Sequence, residues 1–266
     1  MMKKNYNYTR ALEFVVKQIL ASKEIKTNTK FIVVLGSYRE KEIVQNYSDL
    51  DILLILNSDN YGTINVEILD DLRRIASIAS KRYGVKISLL THTIFDFEEY
   101  VDFNYLIHYS WGEVIYGDKK GFQSIFNRLL NKKQFDKKVR SLIIYYNIIH
   151  ARFNLIRRFV SLNKTNTRKY KQEIVKIFID NILEICDWFL VYNDIFVVKK
   201  SNIVRTFLSN FPYIYPAHIP KLAYNMRKKW NDLDFNRADT INYFLMDSIA
   251  FVHSVVAELY KLHVQK

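Results

Sequence analysis

The stretch that decides the fold is Phe31–Leu56, FIVVLGSYREKEIVQNYSDLDILLIL. Its first run, Phe31–Leu35, is apolar and stops at Gly36-Ser37; its second, Asp49–Leu56, opens on Asp49-Leu50-Asp51 and continues in Ile and Leu. Short apolar runs bounded by polar loops read as buried strands. Residues two apart on a strand face the same side, so the carboxylates of Asp49 and Asp51 share a face. Two hard oxygen ligands on one rigid face can hold Mg²⁺ against phosphate oxygens. Gly36 lets backbone approach a phosphate closely, and Ser37 can donate its hydroxyl to it.

Outward from this stretch, apolar spacing predicts a helix over about 8–23 (Leu12, Val15, Val16, Ile19, Leu20), a polar turn at Lys26–Lys30, and a helix over about 64–82 ended by Gly84. A turn falls at 57–62 by composition. A third strand, Val85–Leu90, a helix over about 95–110 and a short strand, Val114–Tyr116, complete an N-terminal α/β unit. Beyond Gly117-Asp118 no convincing strand follows. Leu142, Tyr146, Ile149, Phe153, Ile156 and Val160 alternate at spacings of four and three, which predicts a long helix over about 137–162 with a narrow core seam. After a break at Asn163–Asn166, helices are expected over about 167–192, 217–230 and 237–263, with a loop and short helix near 197–209. The expectation is an α+β fold: a small mixed-sheet core domain over 1–120 and an all-α bundle over 121–266.

The bulk numbers bound the partners. The chain has 266 residues, a net charge of +13, and few Gly (6) or Pro (3), which suits long helices. A basic surface attracts nucleotides, nucleic acids or anionic membranes, and equally serves solubility. Cys186 is the lone cysteine, which excludes an intrachain disulfide and a cysteine-based zinc site; its apolar helical setting makes it core filler. MMKKNYNYTR lacks an apolar core behind its basic start, so no signal peptide is expected. No uninterrupted apolar window of transmembrane length occurs, and a cytoplasmic, membrane-free setting is the expectation. The histidines His92, His108, His150, His218, His253 and His263 show no metal-ligand spacing.

The order apolar strand, Gly36-Ser37, eleven intervening residues of which the last is Ser48, then Asp49-Leu50-Asp51 opening a second strand resembles the nucleotidyltransferase superfamily, which shares a polymerase-beta-like core. The later EVIYGD, Glu113–Asp118, looks like the strand and turn that close that core in antibiotic and minimal nucleotidyltransferases. A helical C-terminal domain fits the antibiotic-modifying branch. The resemblance implies that Gly36 and Ser37 hold the triphosphate, that Asp49 and Asp51 carry Mg²⁺, with one ion or two, and that Arg39 neutralises the departing pyrophosphate. A solvated loop arginine is the plain alternative for Arg39. The implied substrate is a nucleoside triphosphate. The implied acceptor is a small molecule such as an aminoglycoside, or a protein or RNA, and a homodimer is left open.

One departure stands out. The family places a third carboxylate on the next core strand, and here Val85-Lys86-Ile87-Ser88-Leu89-Leu90 presents Ser88. Serine is neither a strong base nor an anionic ligand. Either another acid replaces it, the metal site is weakened, or nucleotide is bound without turnover, as in an impaired member of a toxin–antitoxin pair. Glu173, Asp180, Glu184 and Asp187 offer a candidate acid, lying at helical offsets of seven, four and three. A solvated face explains them as well. In the functional version Glu184 is the general base on the acceptor hydroxyl, as in some antibiotic nucleotidyltransferases.

Overall fold

The computed structural model describes residues 6–57, 64–99, 101, 103–134, 137–162, 167–235 and 237–264. The turn expected over 57–62, apart from Asn57, and the break over 163–166 lie outside them. The chain divides into two compact units, Met1–Asp136 and Lys137–Lys266.

The first unit runs α1 (Tyr6–Ala21), α2 (Lys23–Asn28), β1 (Thr29–Val34), α3 (Gly36–Glu40), β2 (Leu50–Leu56), α4 (Val66–Tyr83), β3 (Ile87–Thr93), α5 (Ile94–Glu99), α6 (Phe103–Ser110), β4 (Glu113–Tyr116) and α7 (Lys119–Gln134). The four strands form one mixed sheet in the order β3-β2-β1-β4. β1 is antiparallel to β2 and β4, and β2 is parallel to β3.

Strand alternation sends successive side chains of β1 and β2 to opposite faces. Ile32, Val34, Leu50, Ile52, Leu54 and Leu56 pack with Leu12, Val15 and Ile19 of α1 and with Ile68, Leu72 and Ala79 of α4. Phe31, Val33, Leu35, Leu53 and Ile55 pack with Phe97 of α5, Leu106 and Tyr109 of α6, and Phe122, Phe126 and Leu129 of α7. A sheet covered on both faces needs strands that read as continuous apolar runs, which is how β1 and β2 read. Asp51 is the polar interruption. It shares strand parity with Leu53 and Ile55 but stands at the open end of β2, half-buried.

Three local expectations are corrected. The polar turn at Lys26–Lys30 is helix and strand: the Ser22 hydroxyl caps α2 by accepting from the Ile25 N–H at 3.4 Å, and Ile25 is buried. The single helix over 95–110 is two, α5 and α6. α7 was not expected, and its Phe122, Phe126 and Leu129 sit in the core of the first unit, beyond the expected boundary at 120/121. Gly84 does end α4, at φ 63° with its N–H on the Ser80 carbonyl, the left-handed stop that glycine permits.

Among its described residues the second unit has helices and no strand: α8 (Lys137–Ser161), α9 (Arg168–Tyr192), α10 (Lys200–Asn210), α11 (Ile219–Lys228) and α12 (Ala238–Val264). α9 is central and contacts the other four. Its apolar residues are accordingly buried almost all round, Ile174, Phe178, Ile182, Ile185 and Phe189 among them. Cys186 lies in this core, and burial pushes its thiol well above the usual range. Among the described residues one helix is long and apolar enough to cross a membrane, Asp239–Leu262 of α12, with a mean hydropathy of 1.3. Its Ile241, Phe244, Leu245, Phe251, Val255 and Leu259 are buried in the unit's interior.

α8 reverses an expectation. Its buried stripe is Ile144, Ile148, Ala151 and Leu155, whereas Leu142, Tyr146, Phe153 and Val160 are exposed. Each exposed position precedes a buried one by two residues or lies in line with them, roughly 200° around a helix. The helix is apolar on two opposed faces, and periodicity alone could not say which one met the core.

Candidate active site

The site forms where β1 ends and β2 begins. Leu35 leaves β1 extended, and its N–H donates to the Asp51 carbonyl at 3.0 Å. Gly36 then turns the chain at φ 59°, and a Cβ placed there would stand 2.6 Å from Asp51 Oδ2. Both the left-handed dihedral and the close approach require glycine. The bare Cα brings the Gly36-Ser37 backbone against the Asp51 carboxylate. Ser37 follows, buried in the first turn of α3. Its carbonyl accepts from Lys41, which closes α3 at φ 61°, and from Glu42 at 2.9 Å.

The connection to Asp49 is braced from two sides. Ser48 Oγ accepts from the Val44 N–H at 2.9 Å, and the Ser48 N–H returns a bond to the Val44 carbonyl at 2.8 Å. The Tyr8 hydroxyl, from α1, donates to the Ser48 carbonyl at 2.8 Å. The residue before the first aspartate is therefore pinned to a helix forty positions earlier. Tyr38 of α3 is joined to Thr9 of the same helix at 3.0 Å.

Asp49 and Asp51 flank Leu50 at the start of β2, on one face of the strand. The parallel register sets Leu50 opposite Ile87 and Asp51 opposite Ser88. In a parallel pair, registered side chains emerge on the same face, so Ser88 stands beside Asp51 at the position where a third acid was expected. One step back, Lys86 reaches Asp49: its Nζ lies 2.6 Å from Asp49 Oδ2. Lys86 is 72% exposed, so its ammonium can leave without disturbing the core. Arg39 is half-buried in the last turn of α3.

The acids of α9 do not form one surface. Glu173 and Glu184 are exposed, Asp180 is half-buried and Asp187 is buried, as follows from a helix surrounded by four others. Glu184 belongs to the second unit and Asp49 and Asp51 to the first. Among the described residues there is no group of three or more His, Cys, Asp or Glu side chains that could hold a metal ion. Asp49 and Asp51 are thus a two-carboxylate donor set. It suits a hard divalent cation whose remaining ligands are phosphate oxygens and water, the arrangement Mg²⁺ ordinarily takes. A side chain at residue 36 would collide with Asp51 Oδ2, so only a bare glycine lets the backbone close on that carboxylate.

Two contributors escaped sequence reading. Lys86 was visible two residues before Ser88, but only the strand register brings it to Asp49. Tyr8 is an aromatic in a helix full of apolar residues, and nothing in its spacing marks its hydroxyl.

Residues 16–111 match the family model of the nucleotidyltransferase domain. No curated protein is found to match the chain.

Proposed function

With residues 16–111 a domain of the nucleotidyltransferase superfamily, we propose that this chain moves a nucleoside monophosphate from a nucleoside triphosphate to a hydroxyl acceptor, with Mg²⁺ as cofactor. The observation that carries the reading is the apposition of Gly36 and the Asp51 carboxylate, 2.6 Å from where a Cβ would be. It sets the turn that would accommodate phosphate against the carboxylate that would bind the metal, with no side chain between them.

In this reading Asp49 and Asp51 hold Mg²⁺, which when bound supplies charge neutralisation for the triphosphate. The Gly36-Ser37 turn receives phosphate oxygens through backbone N–H and hydroxyl donors. Arg39 pairs with the pyrophosphate. The acceptor oxygen attacks the α-phosphorus, the bond to the β-phosphate oxygen breaks, and pyrophosphate leaves with that electron pair. The hydroxyl proton passes to a base; some antibiotic nucleotidyltransferases take theirs from the helical domain, and Glu184 is the candidate for that role among the acids of α9. The net charge of +13 favours an anionic acceptor such as RNA or an acidic protein; an aminoglycoside, with antibiotic resistance as its consequence, is the cationic alternative.

A second reading has its own observation. Ser88 stands opposite Asp51, so the third acid is lacking on that strand, and the domain then binds nucleotide without transferring it. One experiment separates the two. The full chain is incubated with Mg²⁺, each of ATP, GTP, CTP and UTP, and a panel of acceptors, and pyrophosphate is measured. Transfer predicts release that falls by about 100-fold or more in Asp49→Asn and Asp51→Asn, and falls also in Glu184→Gln if that carboxylate is the base. Nucleotide binding that depends on both aspartates without any release favours the second reading. Binding indifferent to both aspartates sinks both.

A further inference from the structure

α8 carries an apolar seam that faces solvent. Leu142, Tyr146, Ile149, Phe153, Ile156 and Val160 fall at alternating spacings of four and three, the a/d pattern of a helix that packs along another helix. Leu142 is 42% exposed, Tyr146 62%, Phe153 61% and Val160 63%, while Ile149 and Ile156 are half-buried. The core of the second unit is served by the opposite stripe, Ile144, Ile148, Ala151 and Leu155. Leu142, Tyr146, Phe153 and Val160 of this second apolar stripe are therefore not used in the unit's own core. Single exposed apolar residues are ordinary; an aligned series along a helix marks an interface.

The seam borders a groove of about 420 Å³ between α8 and α12, lined by Tyr145, Arg152, His253, Val256 and Tyr260 among others. Arg152 stands over the Phe153 ring, 5.9 Å from its centroid, so cation and seam are contiguous. Lys261 at the groove is matched by Glu258 at 3.4 Å.

Charge decides the occupant. α8 reads KKVRSLIIYYNIIHARFNLIRRFVS, with no Asp or Glu. The positions flanking the seam include His150, Arg152 and Arg157. In a helix pair these are the positions that choose a partner by charge. A second copy of α8 would set arginine against arginine; an acidic helix would meet one arginine on each flank, Arg157 and Arg152, and no carboxylate anywhere along α8.

We propose that the solvent-facing seam of α8, with the groove beside it, docks an amphipathic helix of a partner protein, apolar at the seam and acidic on both flanks. The interface is independent of the catalytic reading, since it draws on no residue of the nucleotide site.

The test uses the full chain and two synthetic three-heptad peptides, both with Leu at a and d, one with Glu and one with Lys at e and g. Each peptide repels itself, and binding is read by fluorescence anisotropy. The acidic peptide is expected to bind with a Kd lower by roughly tenfold or more than the basic one. Tyr146→Glu with Phe153→Glu should abolish binding while leaving far-UV circular dichroism and Tm unchanged, because both side chains are exposed. His150→Glu with Arg157→Glu should reverse the preference. Absence of binding, or equal binding of the two peptides, overturns the proposal. So does sedimentation of the wild-type chain as a dimer that the Tyr146→Glu/Phe153→Glu variant returns to monomer, since the seam is then a self-interface. The comparison of peptides on the unaltered chain keeps the test valid should a variant misfold.

Discussion

Asp49 faces two claimants. The Lys86 ammonium holds Asp49 Oδ2 at 2.6 Å, and the nucleotidyltransferase reading asks the same carboxylate to bind a divalent cation. The magnitudes favour the cation. An ion pair with a largely exposed lysine is worth about 0–1 kcal/mol, and the side chain regains its rotamers when it leaves. Lys86 then acts as a mild competitor. Lys86→Met is expected to tighten Mn²⁺ binding by up to about fivefold, the equivalent of that range, measured by titration calorimetry or by electron paramagnetic resonance of free Mn²⁺. Weaker binding in the variant would show that Lys86 instead helps to build the site. At this scale, legibility followed contiguity. Gly36-Ser37 and Asp49-x-Asp51 stand on their own strand ends and could be read in one dimension. The Lys86–Asp49 pair exists only through the parallel register of β2 and β3, and a register is set by packing that no short stretch of sequence contains.

Elements show a different limit. α9 and α12 were readable because each is long and follows one helical period. α7 was equally periodic, with Phe122, Phe126 and Leu129 at four and three, but its lysine-rich sequence hid the stripe. α8 was recognised as a helix and misassigned in orientation, since both of its faces are apolar. β3 and α5 meet at an element junction whose chemistry yields a pH prediction. His92, near the end of β3, packs against the rings of Phe97 at 5.3 Å and Tyr109 at 6.0 Å. Burial lowers its pKa, and the Asp96 carboxylate, 4.0 Å from Nδ1, opposes that shift only in part. Asp96 is itself engaged at the start of α5, accepting from the Thr93 N–H at 2.6 Å. A histidine whose folded pKa is below its unfolded value resists protonation while the unfolded chain accepts it. Its contribution is therefore complete above about pH 6.5, the ordinary imidazole value, and is lost as pH falls through that value toward the folded one. Tm should drop between pH 7.5 and 5.5, and His92→Phe should flatten that drop. His253 in the second unit, lowered first by burial and then by Arg152, carries the same sign, so the variant removes only the first unit's share. A slope unchanged in His92→Phe would assign the pH dependence elsewhere.

At the scale of the molecule, the residues of the proposed nucleotide-binding face lie within the first unit. Gly36, Ser37, Asp49, Asp51, Lys86 and Ser88 all precede residue 136, and the sheet that carries them is covered on both faces by helices of the same unit. α7 is the decisive part of that cover. Phe122 meets Phe31 with ring centroids 5.4 Å apart, and Phe126 meets Phe97 at 5.2 Å. Burying each such side chain stabilises the fold by about 1.5–3 kcal/mol, against a typical total of about 5–15 kcal/mol for a domain. A fragment ending at residue 120 loses Phe122, Phe126 and Leu129 together and should not fold. A fragment spanning 1–136 should melt cooperatively by circular dichroism, give dispersed amide resonances, and bind Mn²⁺ with the Kd of the full chain to within about threefold, as expected where no partner group has been removed. If the 1–136 fragment folds but binds Mn²⁺ far more weakly, a ligand lies beyond residue 136, and the two-carboxylate account of the site gives way. If both fragments fold alike, the aromatic contacts of α7 contribute far less than their burial implies.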